Sequence, residues 1–203
     1  MRTIFKRLLA LAAVGALTSA TAEARYFRTV VIDAGHGGYD KGAQFGQVYE
    51  KHLCLDTATR LQNYLQSMGF KTVMTRNSDY FVSLAERVAI TQRYKDAIFV
   101  AVHYNFTYRD SACGLETYYA NGAESQNLAQ MVQQNICRKV RATDRGAKFA
   151  RYYVIRNNTC PAILVECGFV SNPTERQGMK AAWYRDSLAK AIADGVMRFR
   201  RDG

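Results

Sequence analysis

Short apolar runs rich in β-branched residues alternate along the chain with longer stretches whose apolar residues recur every three to four positions. The short runs predict strands, and the longer stretches predict helices that bury one face. This alternation favours an α/β fold: a single domain with a mostly parallel sheet of about six strands, flanked by helices on both faces. The predicted strands are 29–32, 70–75, 97–102, 115–119, 152–155 and 162–165. The predicted helices are 51–68, one that begins after Ser83, 124–140 and 176–200.

Length and composition indicate one folded domain. The chain has 203 residues and only two prolines, Pro161 and Pro173, and no run of glycine and serine divides it. Domains usually contain about 100–200 residues. With 48% hydrophobic and 22% charged residues, the chain is too apolar for an intrinsically disordered protein. These features exclude two domains joined by a flexible linker.

The first 24 residues have the pattern of a secretory signal peptide. Three basic residues lie among the first seven, an uncharged apolar run spans 8–17, and the small-residue site Ala22-Glu23-Ala24 follows. A membrane span needs about 20 apolar residues, and this run is roughly half as long, so the pattern favours cleavage over a membrane anchor. We expect residues 1–24 to be removed and the protein to be exported, to the periplasm or outside the cell.

The cysteines leave the redox chemistry open. There are five: Cys54, Cys113, Cys137, Cys160 and Cys167. No two of them form a C-x-x-C pair, which argues against a zinc cluster built on cysteine. In an oxidising compartment an odd number leaves at least one thiol free. One structural disulfide and five unpaired thiols are therefore both open.

Four residues able to bind a metal or transfer a proton lie near the ends of predicted strands. His36, His103 and Glu166 each follow a predicted strand, and Glu50 stands at the start of the first helix. Ligands of open α/β sheets bind beyond the carboxyl ends of the strands. Two imidazoles and one carboxylate are a common zinc set that leaves a position for water, and a second carboxylate can move a proton to a leaving amine. The residue types therefore favour a zinc hydrolase.

Each of these residues also has a purely structural interpretation. A lone histidine at a strand end is usually a polar cap, and Glu50 could simply interact with the helix dipole. His36 differs because glycines flank it on both sides and allow close backbone approach. A carboxylate directly after an apolar strand, as at Glu166, is costly unless it is paired or bound to a metal. On a helix His52 would point away from Glu50, so we predict that it lies on the surface.

Five ordered segments carry a family resemblance. They are VIDAGHGGYDKGA at 31–43, YEK at 49–51, TRNSD at 75–79 with Leu84 and Arg87 beyond it, VHYN at 102–105, and PAILVECGFVSN at 161–172. Together they resemble the zinc-dependent N-acetylmuramoyl-L-alanine amidases, a large family of bacterial cell-wall hydrolases. The resemblance covers about 30–196, nearly all of the chain that follows the leader.

The resemblance implies a reaction and a role for each of the four residues. The reaction is hydrolysis of the amide between the lactyl group of N-acetylmuramic acid and L-alanine in peptidoglycan. His36, Glu50 and His103 would bind Zn²⁺, and Glu166 would act as general base and then as general acid. Residues 25–203 would be the catalytic amidase domain.

The resemblance also bears on neighbouring residues and on partners. Asp33 or Asn105 is a candidate to orient a metal ligand. We expect the enzyme to act on peptidoglycan as a monomer without stable membrane insertion, and dependence on a protein activator is left open. Two rival functions also stay open: a zinc peptidase that cuts within the stem peptide, and a wall-binding module that has lost activity.

The net positive charge alone suggests binding to nucleic acid, but the rest of the sequence argues against such a partner. The formal charge of +11 falls to +9 once the leader is removed, because 25 basic and 16 acidic residues remain. Most lysines and arginines are scattered along the chain, and export separates the protein from most nucleic acid. We therefore expect no nucleic-acid partner and interpret the charge as weak attraction to an anionic envelope.

Overall fold

Strands and helices follow one another in nearly the predicted order. The computed structural model describes residues 27–202, so the predicted signal peptide lies outside the described residues. The elements are β1 (Thr29–Ala34), β2 (Gln44–Phe45), β3 (Val48–Tyr49), α1 (Glu50–Ser67), β4 (Lys71–Met74), α2 (Leu84–Gln92), β5 (Ala97–Asn105), β6 (Leu115–Tyr119), α3 (Gly122–Val140), β7 (Asp144–Phe149), α4 (Tyr153–Arg156), β8 (Ala162–Phe169), α5 (Pro173–Lys180) and α6 (Ala182–Arg201).

Six of the strands form one sheet in the order β4-β1-β5-β8-β6-β7. All neighbours are parallel except β6 and β8, which are antiparallel. The central strands β1, β5 and β8 are almost wholly buried, as expected for strands covered on both faces. The predicted mostly parallel sheet is therefore confirmed. The small hairpin of β2 and β3 escaped prediction because two-residue strands show no periodicity.

Helices cover both faces of the sheet, as predicted. Alternate residues of a strand point to opposite faces. In β1, Val30 and Ile32 belong to the larger core, which includes residues of α1, α3 and α6. Val31 belongs to a smaller core that includes residues of α4 and against which Ile90 of α2 packs. Among residues 27–202, no helix combines the length and apolar character needed to cross a bilayer.

The predicted strand at 152–155 is wrong. Residues Tyr153–Arg156 form the short helix α4. The sixth strand of the sheet is instead β7, at Asp144–Phe149. β7 lies at the edge of the sheet and is largely half-buried or exposed. A strand at the edge of a sheet, with one face in contact with solvent, does not need a continuous apolar run. The polar residues of β7 therefore gave no strand signal.

The predicted final helix is two helices, and together with the unpredicted α4 this gives six helices within residues 27–202 where four were predicted. α5 begins at Pro173, and the side chain of Asn172 caps it by accepting a hydrogen bond from the N–H of Glu175 at 3.0 Å. Ala181 has extended backbone, with φ −79° and ψ 129°, and separates α5 from α6. The predicted start of α2 after Ser83 is confirmed, and the side chain of Ser83 caps the helix by accepting a hydrogen bond from the N–H of Glu86 at 3.2 Å. Leu84, the first residue of α2, is exposed.

Candidate metal centre

Two of the four predicted site residues lie inside strands. β5 runs through His103 to Asn105, and β8 runs through Glu166 to Phe169, each beyond its predicted end. The two strands are parallel neighbours, and His103 pairs in register with Glu166. The sheet therefore sets the distance between the imidazole and the carboxyl.

His36 lies in a sharp turn after β1. Its φ is +60°, in the left-handed region that non-glycine residues rarely adopt, and Gly37 and Gly38 also have positive φ. The imidazole Nδ1 is 2.9 Å from Asp40 Oδ2, and Nε2 is 3.1 Å from Glu50 Oε1. Burial would lower the pKa of His36, but the hydrogen bonds with Glu50 and Asp40 outweigh it and raise the pKa. Asp40 therefore orients the ring so that Nε2 faces Glu50.

Glu50 is the first residue of α1 and is buried. Its Oε1 lies 3.0 Å from His103 Nδ1 and 3.1 Å from His36 Nε2, and accepts a hydrogen bond from the N–H of Tyr104 at 3.0 Å. Its Oε2 accepts from the N–H of Ala43 at 2.7 Å. Burial by itself raises the pKa of this carboxyl, but the hydrogen bonds with His103 and His36 outweigh burial and hold the pKa far below its ordinary value. Glu50 is therefore a buried anion.

Two glycines leave room for these donor groups. A Cβ at Gly35 would overlap the ring of His103, and a Cβ at Gly42 would lie 2.6 Å from Glu50 Oε2 and against the ring of His36. One donor atom from each of His36, Glu50 and His103 lies within 4.8 Å of the others. Two ring nitrogens and an ionised carboxylate oxygen thus converge to form a candidate metal site, and this donor set suits zinc.

The carboxyl of Glu166 lies buried beside these three residues. Within the described part of the chain its Oε2 has no hydrogen-bond partner. Burial raises the pKa of Glu166 well above its ordinary value, and the nearby carboxylates of Glu50 and Glu116 raise it further. A buried carboxyl with a raised pKa and a free oxygen can exchange a proton with a molecule bound at the site.

Glu116 on β6 is a buried site residue that sequence reasoning missed. It is the antiparallel neighbour of Glu166, and it accepts hydrogen bonds from Asn105 Nδ2 at 2.7 Å and from Arg145 Nε at 2.9 Å. Burial raises the pKa of Glu116, but hydrogen bonds from Lys148 and Arg145 outweigh burial and lower it. A charged residue at an inward position of a predicted strand was the signal that could have found it.

Two buried arginines hold the backbone of the turn that carries His36. Arg76 donates to the carbonyl oxygens of Ala34 at 2.9 Å and Gly35 at 2.7 Å. Arg87 donates to the carbonyl oxygens of Ala34 and His36, both at 2.8 Å. The sequence resemblance included both arginines in a motif, but their joint hold on this turn depends on tertiary structure.

Asp33 and Asn105, the residues predicted to orient a ligand, form their hydrogen bonds elsewhere. Asp33 Oδ1 accepts from Thr75 and from Arg87, both at 2.6 Å, and Asn105 donates to Glu116. Asp40 makes the hydrogen bond to a candidate ligand instead. Its carboxylate lies four residues beyond His36 in the glycine-rich loop, and that proximity was the available signal.

The remaining histidine and the cysteines lie outside the triad. His52 is 56% exposed, which confirms the surface position predicted for it. All five cysteines, which lie within residues 27–202, are free. Cys54 and Cys167 are buried, so of the two alternatives left open by the sequence, the structure has five unpaired thiols.

Comparison with known protein families and proteins gives one consistent answer. Residues 30–198 match a family model described as N-acetylmuramoyl-L-alanine amidase. The chain is 36% identical over 176 residues to N-acetylmuramoyl-L-alanine amidase LytC of Bacillus subtilis. The aligned region covers 85% of this chain but only 36% of LytC. It is 31% identical over 188 residues to the germination-specific N-acetylmuramoyl-L-alanine amidase of the same organism, covering 85% of this chain and 79% of that protein.

Solved structures agree in fold along most of the chain. An N-acetylmuramoyl-L-alanine amidase from Clostridium difficile 630 superimposes with a TM-score of 0.82 at 37% identity, covering 86% of this chain and 97% of that one. The catalytic domain of CwlV, an N-acetylmuramoyl-L-alanine amidase from Bacillus (Paenibacillus) polymyxa var. colistinus, gives a TM-score of 0.81 at 33% identity and covers 85% of this chain and 98% of that one. The architecture described above is therefore shared with these solved proteins.

Proposed function

The chain belongs to the N-acetylmuramoyl-L-alanine amidase family, and from that premise we propose that it is a zinc hydrolase of peptidoglycan. The reaction adds water across the amide between the lactyl group of N-acetylmuramic acid and L-alanine. The lactyl carbon becomes a carboxylate on the sugar, and the nitrogen becomes the free amine of the stem peptide. The convergence of donor atoms from His36, Glu50 and His103 within 4.8 Å, beside Glu166, carries the proposal.

In this proposal His36, Glu50 and His103 hold the metal. Zinc bound by such a set supplies Lewis acidity to a carbonyl oxygen and lowers the pKa of water to about 7. Asp40 accepts a hydrogen bond from Nδ1 of His36, which leaves Nε2 for the metal. Glu50 is ionised and contributes one negative charge, because hydrogen bonds with both histidines favour its anionic form.

Glu166 transfers the proton in this reaction. Its carboxylate takes a proton from the attacking water and gives it to the L-alanine nitrogen as the carbon–nitrogen bond breaks. The buried position, the oxygen without a partner and the raised pKa of Glu166 support this role, because a raised pKa makes the carboxylate a stronger base. A cation at the neighbouring triad would lower this pKa.

The substrate of the family lies outside the cytoplasm, and the leader is consistent with that location. We propose that residues 1–24 direct export and are removed, and that the domain at 25–203 acts as a monomer in the periplasm or outside the cell. Comparing the N-terminus of the protein recovered from culture with the predicted start at Arg25 tests this. An intact Met1 on the exported protein would contradict cleavage.

Product analysis tests the reaction itself. The domain is incubated with purified peptidoglycan, and the released material is identified by mass spectrometry. An amidase releases intact stem peptides whose L-alanine carries a free amine. A peptidase that cuts within the stem would instead leave shortened peptides attached to the sugar, and a wall-binding module would release nothing. Either of these results would overturn the amidase assignment, and treatment with a zinc chelator serves as the matched control.

A further inference from the structure

A cationic pocket opens beside the candidate metal centre. Its volume is about 380 Å³. The residues that line it are Thr107, Arg109, Ser111, Ala112, Arg145 and Phe169. This set includes two arginines and two hydroxyl side chains and no acidic residue. Arg145 is paired with the buried Glu116, so its remaining donors and the guanidinium of Arg109 are the groups that can bind an anion.

Backbone register places the pocket next to the centre. Phe169, in the pocket wall, pairs with Asn105 on β5, two residues beyond His103. The loop that carries Thr107 and Arg109 begins directly after Asn105. The pocket therefore lies at the same edge of the sheet as the donor triad.

The charged side chains connect the pocket to the Glu166 side of the centre. Arg145 donates from Nε to Glu116 Oε2 at 2.9 Å, and Glu116 is the cross-strand neighbour of Glu166. The guanidinium of Arg145 also lies over the ring of Phe169, 4.9 Å from its centroid. These two contacts fix Arg145 in the pocket wall, whereas Arg109 is exposed on the loop. An arginine held in the pocket wall and an exposed arginine on the neighbouring loop can together pair with a carboxylate.

The opposite side of the centre has a different character. Beyond His36, the ring of Tyr39 stacks on that of Phe81 with centroids 4.4 Å apart, and Tyr39 is 77% exposed. An exposed aromatic face suits the apolar face of a sugar, whereas guanidinium groups suit carboxylates. The exposed pair of Tyr39 and Phe81 therefore lies on the His36 side, whereas the two arginines lie on the Glu166 side.

We infer that the pocket containing Arg109 and Arg145 binds carboxylate groups of the stem peptide, an inference that rests on the proposed amidase function. The amide has a sugar on its acyl side and a peptide on its nitrogen. Because Glu166 delivers the proton to that nitrogen, the peptide leaves on the Glu166 side, where the arginines lie. The stem peptide carries carboxylates, and the sugar then extends towards Tyr39 and Phe81.

The test compares two soluble muropeptides that differ only in whether their stem-peptide carboxylates are free or amidated. Steady-state kinetics are measured for the zinc-loaded wild type, R109Q, R109K and R145Q. R93Q is the charge-matched control, because Arg93 is exposed at the end of α2, shortly before the opposite end of β5. With the free-carboxylate substrate we expect R109Q to raise KM about tenfold, as loss of a charge-assisted pair does.

The inference also predicts a selective pattern across variants and substrates. R109K keeps the charge and restores part of the affinity, while R93Q changes neither substrate's KM. With the amidated substrate, wild type and R109Q have the same KM, and R145Q loses less than with the free carboxylates. Equal losses on both substrates, or no loss in R109Q, would overturn the pocket assignment. If the wild type releases no peptide with a free L-alanine amine from either substrate, the amidase proposal itself fails.

Discussion

Arg87 donates a hydrogen bond from Nη2 to the backbone carbonyl oxygen of His36 at 2.8 Å, so a buried guanidinium holds the peptide that follows a candidate metal ligand. His36 has a φ of +60°, a conformation that costs about 1–3 kcal/mol and persists only where the surroundings impose it. The same guanidinium bonds to Ala34 and to the carboxylate of Asp33. Arg87 therefore couples the sheet, through Asp33, to the position of an imidazole.

Replacing Arg87 by lysine is expected to weaken metal binding more than folding. A single ammonium cannot bond to Asp33 and two carbonyl oxygens in the geometry of the guanidinium. We expect the zinc affinity of R87K to fall about tenfold, as when a partner that orients a metal ligand is lost. Competition with a chromophoric chelator measures the affinity, and circular dichroism checks the fold. R93K is the control, because Arg93 is an exposed arginine. Wild-type zinc affinity in R87K would show that the turn carrying His36 does not need the guanidinium of Arg87.

The metal site is expected to depend on His36 and not on His52. The nitrogens of His36 and His103 converge on Glu50, whereas His52 is 56% exposed and lies near Asp79. The wild type and H52A should each bind one zinc per chain, and H36A should lose stoichiometric metal. Metal analysis after gel filtration in metal-free buffer measures this. Stoichiometric zinc in H36A would mean that the ligand set is wrong.

Replacing Glu166, the residue proposed to transfer the proton, is expected to reduce turnover strongly without loss of bound zinc. Glutamine has nearly the shape of a protonated glutamate but cannot accept a proton. We expect kcat of E166Q on muropeptides to fall by about 10²–10⁴, the usual contribution of general acid–base catalysis. Zinc content should stay at the wild-type level, because Glu166 is outside the donor triad. Full activity in E166Q would refute the general-base assignment.

Glu166 should also make the metal-free protein less stable as pH rises. Its folded-state pKa lies well above the ordinary value of 4.5, because burial and two nearby carboxylates disfavour the anion. Between those two pKa values the folded state binds more protons than the unfolded state. The contribution of Glu166 to stability therefore falls, by about 1.4 kcal/mol per pH unit, as pH rises through that interval.

The measurement that checks this is thermal unfolding of metal-free wild type and E166Q across a pH series. E166Q should have the higher Tm at neutral pH. The difference should shrink towards pH 4.5 and below, where the wild-type carboxyl is protonated in both states. Parallel curves for the two proteins would show that Glu166 is not the group responsible.

Much of the fold could be predicted because its signals are local. Each of these signals involves residues close together in the chain. They are the β-branched run of β1, the apolar face of α1 and the cap at Ser83. β7 could not be found in this way, since it is held by pairing with β6 while its own sequence, DRGAKF, is mostly polar. The break at Ala181 is likewise a backbone change inside an otherwise helical pattern.

The site residues also fall into those that local sequence could predict and one that depends on the fold. His36, His103 and Glu166 could be selected because each follows an apolar run, and the motif resemblance supported them together with Glu50. Glu116 was missed: its charge inside a predicted strand was a local signal, but only the antiparallel direction of β6, which brings the start of that strand beside Glu166, shows that it belongs to the site.

The sequence was sufficient to predict the alternation of strands and helices and the residue types of the donor set, because both depend on local spacing. Its ordered motifs carried the resemblance to the family. The folded structure was needed to show that Arg76 and Arg87 hold the turn of His36, and that Glu116 and Arg145 border Glu166. Those contacts depend on strand order and register, which arise from hydrogen bonds between residues far apart in the chain. No local periodicity encodes them.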